Sequence, residues 1–229
     1  MVDLKKYQSK IIRKLNKTKK NNFYNGWFVN RTIEGGYHSF NTFNLDITGQ
    51  RNNKLRIKEF SKYLDFTDKT IADFGCSTGG ILYHIDNARE YIGIDYDKSS
   101  IKSALYIKKL IQKNNKLLSA RYSFFERDFD KIEIQELDLI LPKNIDISFI
   151  LSMGSWVKSW KQLYEYVYIK SKIIILEINN VSEGVEQLEF FKNLGSNIEL
   201  ILDNSDDDIT NNTGRKTYKI TKEQVQNLT

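Results

Sequence analysis

The sequence predicts an α/β fold: a doubly wound, mostly parallel seven-stranded sheet with a terminal antiparallel hairpin. Three observations carry this. Short apolar runs alternate with amphipathic stretches, the pattern of strands covered on both faces by crossover helices. The first run, Thr70-Ile-Ala-Asp-Phe74, opens directly into the glycine-rich turn Gly75-Cys-Ser-Thr-Gly-Gly80. The last two runs are separated by Asp203 to Gly214, a polar stretch without helical periodicity, so they pair as a hairpin and not through a crossover.

In chain order, Leu4, Tyr7, Ile11 and Leu15 recur at spacings of three and four and predict an amphipathic helix within residues 1–20. Its apolar stripe must pack on the domain or on a partner, a second copy included. Residues 21–53 are rich in Asn, Gly and aromatics without a sustained period and read as an irregular covering segment. Leu55, Ile57, Phe60, Tyr63 and Leu64 support a helix before the first strand. Strands are then expected near 70–74, 90–95, 119–127, 145–151, 172–178, 197–202 and 215–220. Helices are expected near 79–88, 97–114, 156–169 and 183–194. A chain of 229 residues and 26.9 kDa suits a single domain over 1–229.

The formal charge of +6 is localised: residues 1–20 hold eight Lys/Arg against Asp3, so the remaining residues sum to −1. Such an arm is either a solvated helix face or a contact for phosphates. No apolar run approaches the roughly 18 residues of a membrane span. The Lys-rich start lacks the apolar core of a secretory signal, and the single cysteine, Cys76, fits a reducing compartment. The expectation is a cytoplasmic protein.

Function concentrates at the strand ends. In the turn after the first strand, glycines let backbone approach a ligand without Cβ clashes. Asp95 ends the run Tyr91-Ile-Gly-Ile-Asp95, 22 residues after Asp73, where a carboxylate can accept hydrogen bonds from both hydroxyls of a ribose. Asp95 read alone is also a helix N-cap, as is Asp97 before Lys98.

The order DFGCSTGG, GIDYD, FFERDFD resembles the class I S-adenosylmethionine-dependent methyltransferases, over roughly residues 35–220. Many members have Gly at the place of Ser77; the G-x-x-x-G spacing here resembles a subset of the family and weakens a dinucleotide fingerprint. The resemblance implies a Rossmann-like sheet and S-adenosylmethionine as cofactor. It places the methionine part against Asp73, Gly75, Cys76, Ser77 and Gly79, at the N-terminus of the following helix. Asp95 takes the ribose, Tyr96 lies against the adenine face, and Asp128 with Phe129 reads the adenine amino group. Upstream, Tyr37-His-Ser-Phe40 and Ile47-Thr-Gly-Gln-Arg51 look like a segment that folds over the cofactor. Arg51 would then pair with the methionine carboxylate through its planar fork, unless Arg51 and Arg56 sit on a solvated helix face.

The loop after the fourth strand, Leu151-Ser-Met-Gly-Ser-Trp156, lies beside the transferable methyl in this fold. Ser152 is expected on the cofactor's side, and Met153, Trp156 and Trp160, with Tyr37, on the acceptor's; Trp160 reads equally as core. For an alcohol acceptor the candidate bases are His38, whose ordinary pKa is near neutral, and Glu177 at the end of the fifth strand. His84 is not expected to be catalytic. Glu177, Asp146 and Asp128 form no recognisable metal-binding spacing.

The resulting expectation is methyl transfer to an oxygen or nitrogen nucleophile, first a sugar, glycan or nucleotide-sugar hydroxyl. The alternatives are a tRNA or RNA methyltransferase that holds phosphates with the basic arm, and a non-catalytic S-adenosylmethionine-binding partner subunit.

Overall fold

The structure, a computed structural model, describes residues 2–21, 33–179, 181–210 and 214–223. Its seven strands are β1 (Thr70–Phe74), β2 (Glu90–Asp95), β3 (Tyr122–Glu126), β4 (Ile145–Leu151), β5 (Ser171–Glu177), β6 (Ser196–Leu202) and β7 (Thr217–Lys222). They form one sheet in the order β3-β2-β1-β4-β5-β7-β6. Pairing is parallel from β3 across to β5, and β7 runs antiparallel to β5 and β6. The expected sheet and terminal hairpin are both present. Strand order reverses between β1 and β4, which opens a crevice outside their carboxyl ends where ligands bind in such sheets.

The helices are α1 (Gln8–Asn21), α2 (Asn53–Phe60), α3 (Lys98–Asn114), α4 (Lys116–Ala120), α5 (Trp160–Lys170) and α6 (Val181–Asn193). Alternation along each strand sends residues to two cores. Ile71, Tyr91, Phe149 and Ile175 meet Ile11 and Leu15 of α1 and Ile101, Ala104, Ile107 and Ile111 of α3. Ala72, Phe74, Ile92, Ile94 and Leu176 meet Leu163, Tyr164 and Val167 of α5 and Phe191 of α6. Because side chains alternate with a period of two, Asp73, Asp95 and Glu177 share the face of the first core.

Three local expectations are corrected. No α-helix forms over 79–88; that stretch is a turn with a short 3-10 segment at Leu82–His84. Gly79 sits at φ +74°, which interrupts a right-handed helix at its first residue. Ser119 and Ala120 belong to α4, capped by Asn115, and not to a strand, so β3 begins at Tyr122. The predicted helix at 156–169 starts only at Trp160, preceded by a 3-10 turn at Gly154–Trp156. Of the two expectations for the N-terminal apolar stripe, packing on the domain is the one seen, with Leu4, Ile11 and Leu15 fully buried. In the covering segment, residues 22–32 lie outside the described residues. Residues 33–52 form a compact loop with bridges between Phe40 and Ile47 and between His38 and Arg51.

Candidate functional site

The turn after β1 is pinned to β2: the Gly75 and Cys76 amides both donate to the Ile94 carbonyl, at 2.8 and 3.0 Å. Gly75, Ser77 and Gly79 alternate in the left-handed region at φ +81°, +49° and +74°. Ser77 tolerates this because its amide donates to Asp95 Oδ2 at 2.7 Å, while the Asp97 amide donates to Oδ1 at 2.8 Å. Asp95 therefore organises the turn as well as facing the crevice. The N-cap of α3 is Asp97, which accepts from the amides of Ser99 and Ser100.

At Gly79 and Gly80 the missing Cβ makes room for packing. A Cβ at Gly79 would meet the Phe124 ring at 2.6 Å, and one at Gly80 would collide with Asn53 and His38. Cys76 is fully buried, its thiol pushed well up by burial and by Asp95 and Asp73. With no helix after the turn, the expected N-terminal amide array is absent.

Asp73 is 2% exposed and receives no hydrogen bond from a described residue. Burial pushes its carboxyl up to about 7, opposed by the positive charge of Arg56 and reinforced by Asp95. Burial likewise raises Asp95, to about 6, against the backbone amides of Asp97, Ser77 and Tyr96. The ends of β1 and β2 thus hold two adjacent acids that make no ion pair with a described residue, with only the longer-range charge of Arg56 acting on Asp73.

The end of β5 is different. Glu177 accepts from Arg51 Nη1 and Nη2 at 3.0 and 2.8 Å, from Arg56 Nη2 at 2.6 Å and from the Ser152 hydroxyl. Arg51 turns its other edge to Asp207, with Nε and Nη2 at 2.6 and 3.0 Å. Burial alone would raise Glu177, but the two guanidinium groups hold it well below the usual carboxylate range. This corrects two expectations: Glu177 is a poor proton acceptor, and Arg51 has no free edge for a cofactor carboxylate. Neither arginine sits on a solvated face; Arg51 and Arg56 are both buried.

His38 is buried beside Gly80, its ring 4.9 Å from Tyr37, with Nδ1 unpartnered. Burial, then Arg56 and Arg51, depress its pKa, so the imidazole stays neutral and accepts a proton poorly. Tyr37 accepts from Arg51 Nη1 at 3.3 Å. His84 is also neutral: Nδ1 donates to the Gly80 carbonyl at 2.7 Å, Nε2 accepts from the Asn41 amide at 3.1 Å, and burial lowers it to about 4.

Around the crevice, Tyr96 and Trp156 are exposed at 46% and 47%. Met153 is buried with its sulfur against Gly75. Trp160 contributes to the second core, edge-on to Tyr164 and Phe190 at 5.0 and 5.4 Å, so the packing reading holds for it. Phe129 packs on Phe74, and Asp128 pairs with exposed Lys131 at 2.6 Å. Its neighbour Asp130 accepts from the amides of Lys158 and Ser159 and fixes the start of α5.

Sequence reasoning missed Asp207, Asp208 and Gln50. The Asn52 amide donates to the Asp207 carbonyl at 2.8 Å and the Ile209 amide to Gln50 at 3.0 Å. Gln50 Nε2 donates to Asp208 at 3.1 Å. The β6–β7 loop is thereby stitched to the covering segment. An acidic run in a polar loop gives no sign of burial; its partner 156 residues earlier in sequence was the missing information.

No protein-family model matches the chain, and no curated protein matches it. Solved structures do. A co-crystal structure of WbdD with a kinase inhibitor superposes at TM-score 0.57 and 16% identity, covering 77% of this chain and 42% of that one. Another structure of that protein is described as a bifunctional kinase-methyltransferase, so the present chain spans about two-fifths of its length. Magnesium protoporphyrin IX methyltransferase (ChlM) from Synechocystis PCC 6803 with bound SAM gives TM-score 0.53, 12% identity and coverage of 74% and 79%. Precorrin-6y C5,15-methyltransferase from Geobacter metallireducens GS-15 gives 0.51, 16%, 74% and 87%. At these identities the likeness is one of fold, and the fold of the chain is the Rossmann-like α/β fold of these methyltransferases.

Proposed function

We propose that the chain is a class I S-adenosylmethionine-dependent methyltransferase acting on an oxygen or nitrogen nucleophile, first a sugar, glycan or nucleotide-sugar hydroxyl. The observation that carries this reading is the pair of buried acids, Asp73 and Asp95, at the carboxyl ends of β1 and β2 beside the switch in strand order. Both are raised by burial, which outweighs the opposing charge of Arg56 at Asp73 and the backbone amides at Asp95. A ligand with positive charge and a ribose diol fits such a pair.

In this reading Asp95 accepts from the ribose hydroxyls while the Ser77 and Asp97 amides hold it in place. Asp73 faces the cationic end. The cofactor, when bound, supplies an electrophilic methyl on a positively charged sulfur. Tyr96 lies next to Asp95 at the surface and suits the adenine face; Phe129 and Asp128 border the same end. Arg56 takes the role expected of Arg51, because among the described residues only its Nη2 is hydrogen-bonded, to Glu177, its Nε lies 3.6 Å from Asp207, and its charge is felt by Asp73. Ser152, held at φ +56° by its bonds to Glu177, and Met153, against Gly75, shape the wall between cofactor and acceptor. Trp156 offers an exposed ring to an acceptor such as a sugar.

Neither Glu177 nor His38 is an effective base at neutral pH, so the chain's own contribution to transfer is positioning and exclusion of water. His38 is assigned a positioning role, with Nδ1 available for one hydrogen bond.

Calorimetric titration with S-adenosylmethionine and its demethylated product tests the cofactor assignment. Saturable binding that Asp95→Ala weakens about a hundredfold is the expected result. Absence of binding to the wild type, with and without candidate acceptors, would sink it. Transfer of label from tritiated cofactor into a glycan or nucleotide sugar separates an enzyme from a binding subunit.

A further inference from the structure

Charge in this chain is segregated more sharply than the N-terminal arm suggests. Residues 4–21 hold eight Lys/Arg and residues 98–121 hold seven, with no Asp or Glu in either stretch. The remaining 187 residues carry 20 Lys/Arg and all 29 Asp/Glu. Average composition would place about five acids in those two stretches. A coding bias toward lysine adds lysines but does not remove acids, so the pattern points to a surface.

The fold brings the two stretches together. Ile11 and Leu15 of α1 share a core with Ile101, Ala104, Ile107 and Ile111 of α3. The Ser103 hydroxyl of α3 donates to the Lys14 carbonyl at 3.4 Å, and Lys14 Nζ lies 5.3 Å from the Tyr106 ring centroid. α4 folds back on α3, where the Ser119 hydroxyl donates to the Lys108 carbonyl at 3.2 Å. Lys5, Lys6, Lys10, Arg13 and Lys14 are exposed on one side. On α3, Lys98, Lys102, Leu105, Lys109 and Lys113 follow one another at spacings of four and three, a single ridge, and all are exposed.

We propose that this α1–α3–α4 face docks on an anionic lipid surface. Two features favour lipid over nucleic acid. Leu105, 42% exposed, stands in the middle of the lysine ridge, and Leu117, 82% exposed, stands beside Lys116 on α4. Apolar side chains projecting among lysines gain free energy in a headgroup layer and none against phosphates in water. The aromatics of the face, Tyr7 and Tyr106, are half-buried with Lys6 and Lys14 over their rings, so they offer no stacking platform for bases. Thirteen of the fifteen cations are lysine, which acts as a point charge and lacks the fork that arginine brings to nucleic acid. The ridge begins at Lys98, three residues after Asp95, so a docked domain would hold its crevice close to the membrane plane. The inference is independent of the cofactor assignment.

The test is co-sedimentation of the full chain with phosphatidylcholine vesicles, with and without roughly one-third phosphatidylglycerol, at about 0.1 and 0.5 M salt. Binding to the anionic vesicles alone, lost at high salt, is expected. Lys102→Gln/Lys109→Gln/Lys113→Gln should lower partitioning about a hundredfold. Leu105→Ser/Leu117→Ser should lower it about tenfold with the salt dependence retained. All five side chains are exposed, so the melting midpoint of each variant should match the wild type. Absence of binding to anionic vesicles overturns the proposal, as does binding that neither variant changes. A chain that ignores vesicles but binds poly(U) RNA through the same lysines overturns the lipid assignment and gives the face to nucleic acid.

Discussion

Buried acids at the ends of β1 and β2 and at the end of β5 occupy the same face of one sheet, yet they are opposites electrostatically. Glu177 is surrounded by two guanidinium groups and a hydroxyl, and its carboxyl is driven down. Among the described residues Asp73 has no donor and Asp95 has only backbone amides, and both are driven up, to about 7 and about 6. Burial is nearly equal in all three. Partnership, and not depth, therefore separates an acid that is held ionised from one that burial pushes toward its protonated form. Glu177 fastens the covering segment, α2 and the β6–β7 loop to the sheet, while Asp73 and Asp95 are left with a cost that a cation would relieve.

The contrast breaks most visibly at Glu177. Glu177→Ala leaves Arg51 and Arg56 buried without one of their acids, and should cost about 3 to 5 kcal/mol. For a chain of this size that is a fall in melting midpoint of roughly 10 °C. A double-mutant cycle with Arg51→Met should show strong coupling, since the bidentate pair is removed once. Because the folded-state carboxyl is depressed, this stabilisation is present above the ordinary pKa of a glutamate and is lost as pH falls through the folded value. The wild type should accordingly lose stability on acidification below about pH 4.5, and the Ala variant much less. A Glu177→Ala protein that melts like the wild type would make the cluster a solvated surface network.

Asp95→Ala should instead cost cofactor affinity, about a hundredfold for a lost bidentate ribose contact and a loosened turn, with a stability change under about 1 kcal/mol. Calorimetry and a thermal melt on one preparation distinguish the two outcomes. The tryptophans give a smaller version of the same separation. Trp160→Ala should lower stability by about 2 kcal/mol through lost packing on Tyr164 and Phe190. Trp156→Ala should leave the melt unchanged and raise the KM for acceptor. Equal behaviour of the two variants would place Trp156 in the core as well.

The sheet was legible because apolar runs of β-branched residues, polar turns and the glycine turn are local signals, and all seven strands fall within three residues of the expected positions at their starts. The acids at strand ends were legible for the same reason. What local signals cannot carry is partnership. Arg51 reads as a free fork in sequence because Asp207, which occupies it, lies 156 residues away in a polar loop. The missing helix at 79–88 is a related failure: Gly79 and Gly80 look like ligand-facing glycines, but their lack of Cβ makes room for Phe124 from β3 and for His38 and Asn53 from upstream. Packing against distant chain set these choices, and no window of sequence contains it.

Asp73→Asn is the smallest perturbation and the one that most directly tests whether an unpaired acid marks the ligand site. In the folded chain Asp73 binds its proton more tightly than an exposed aspartate, so its contribution to stability is fully present below the ordinary pKa near 3.8 and is lost as pH rises to about 7. The amide cannot ionise, so the ligand-free variant should be more stable than the wild type at pH 8, by about 1 kcal/mol, and should lose that advantage by pH 5. With S-adenosylmethionine added the order should reverse. The wild type gains from a cation that ionised Asp73 welcomes, and its affinity should rise with pH between about 5.5 and 8. In the variant the rise should be confined to the range near 6 where Asp95 ionises. Thermal melts at the two pH values, with and without cofactor, read both effects. A variant less stable than the wild type at pH 8 without cofactor would mean that Asp73 already has its partner within the fold, and the distinction between the two ends of the sheet would collapse.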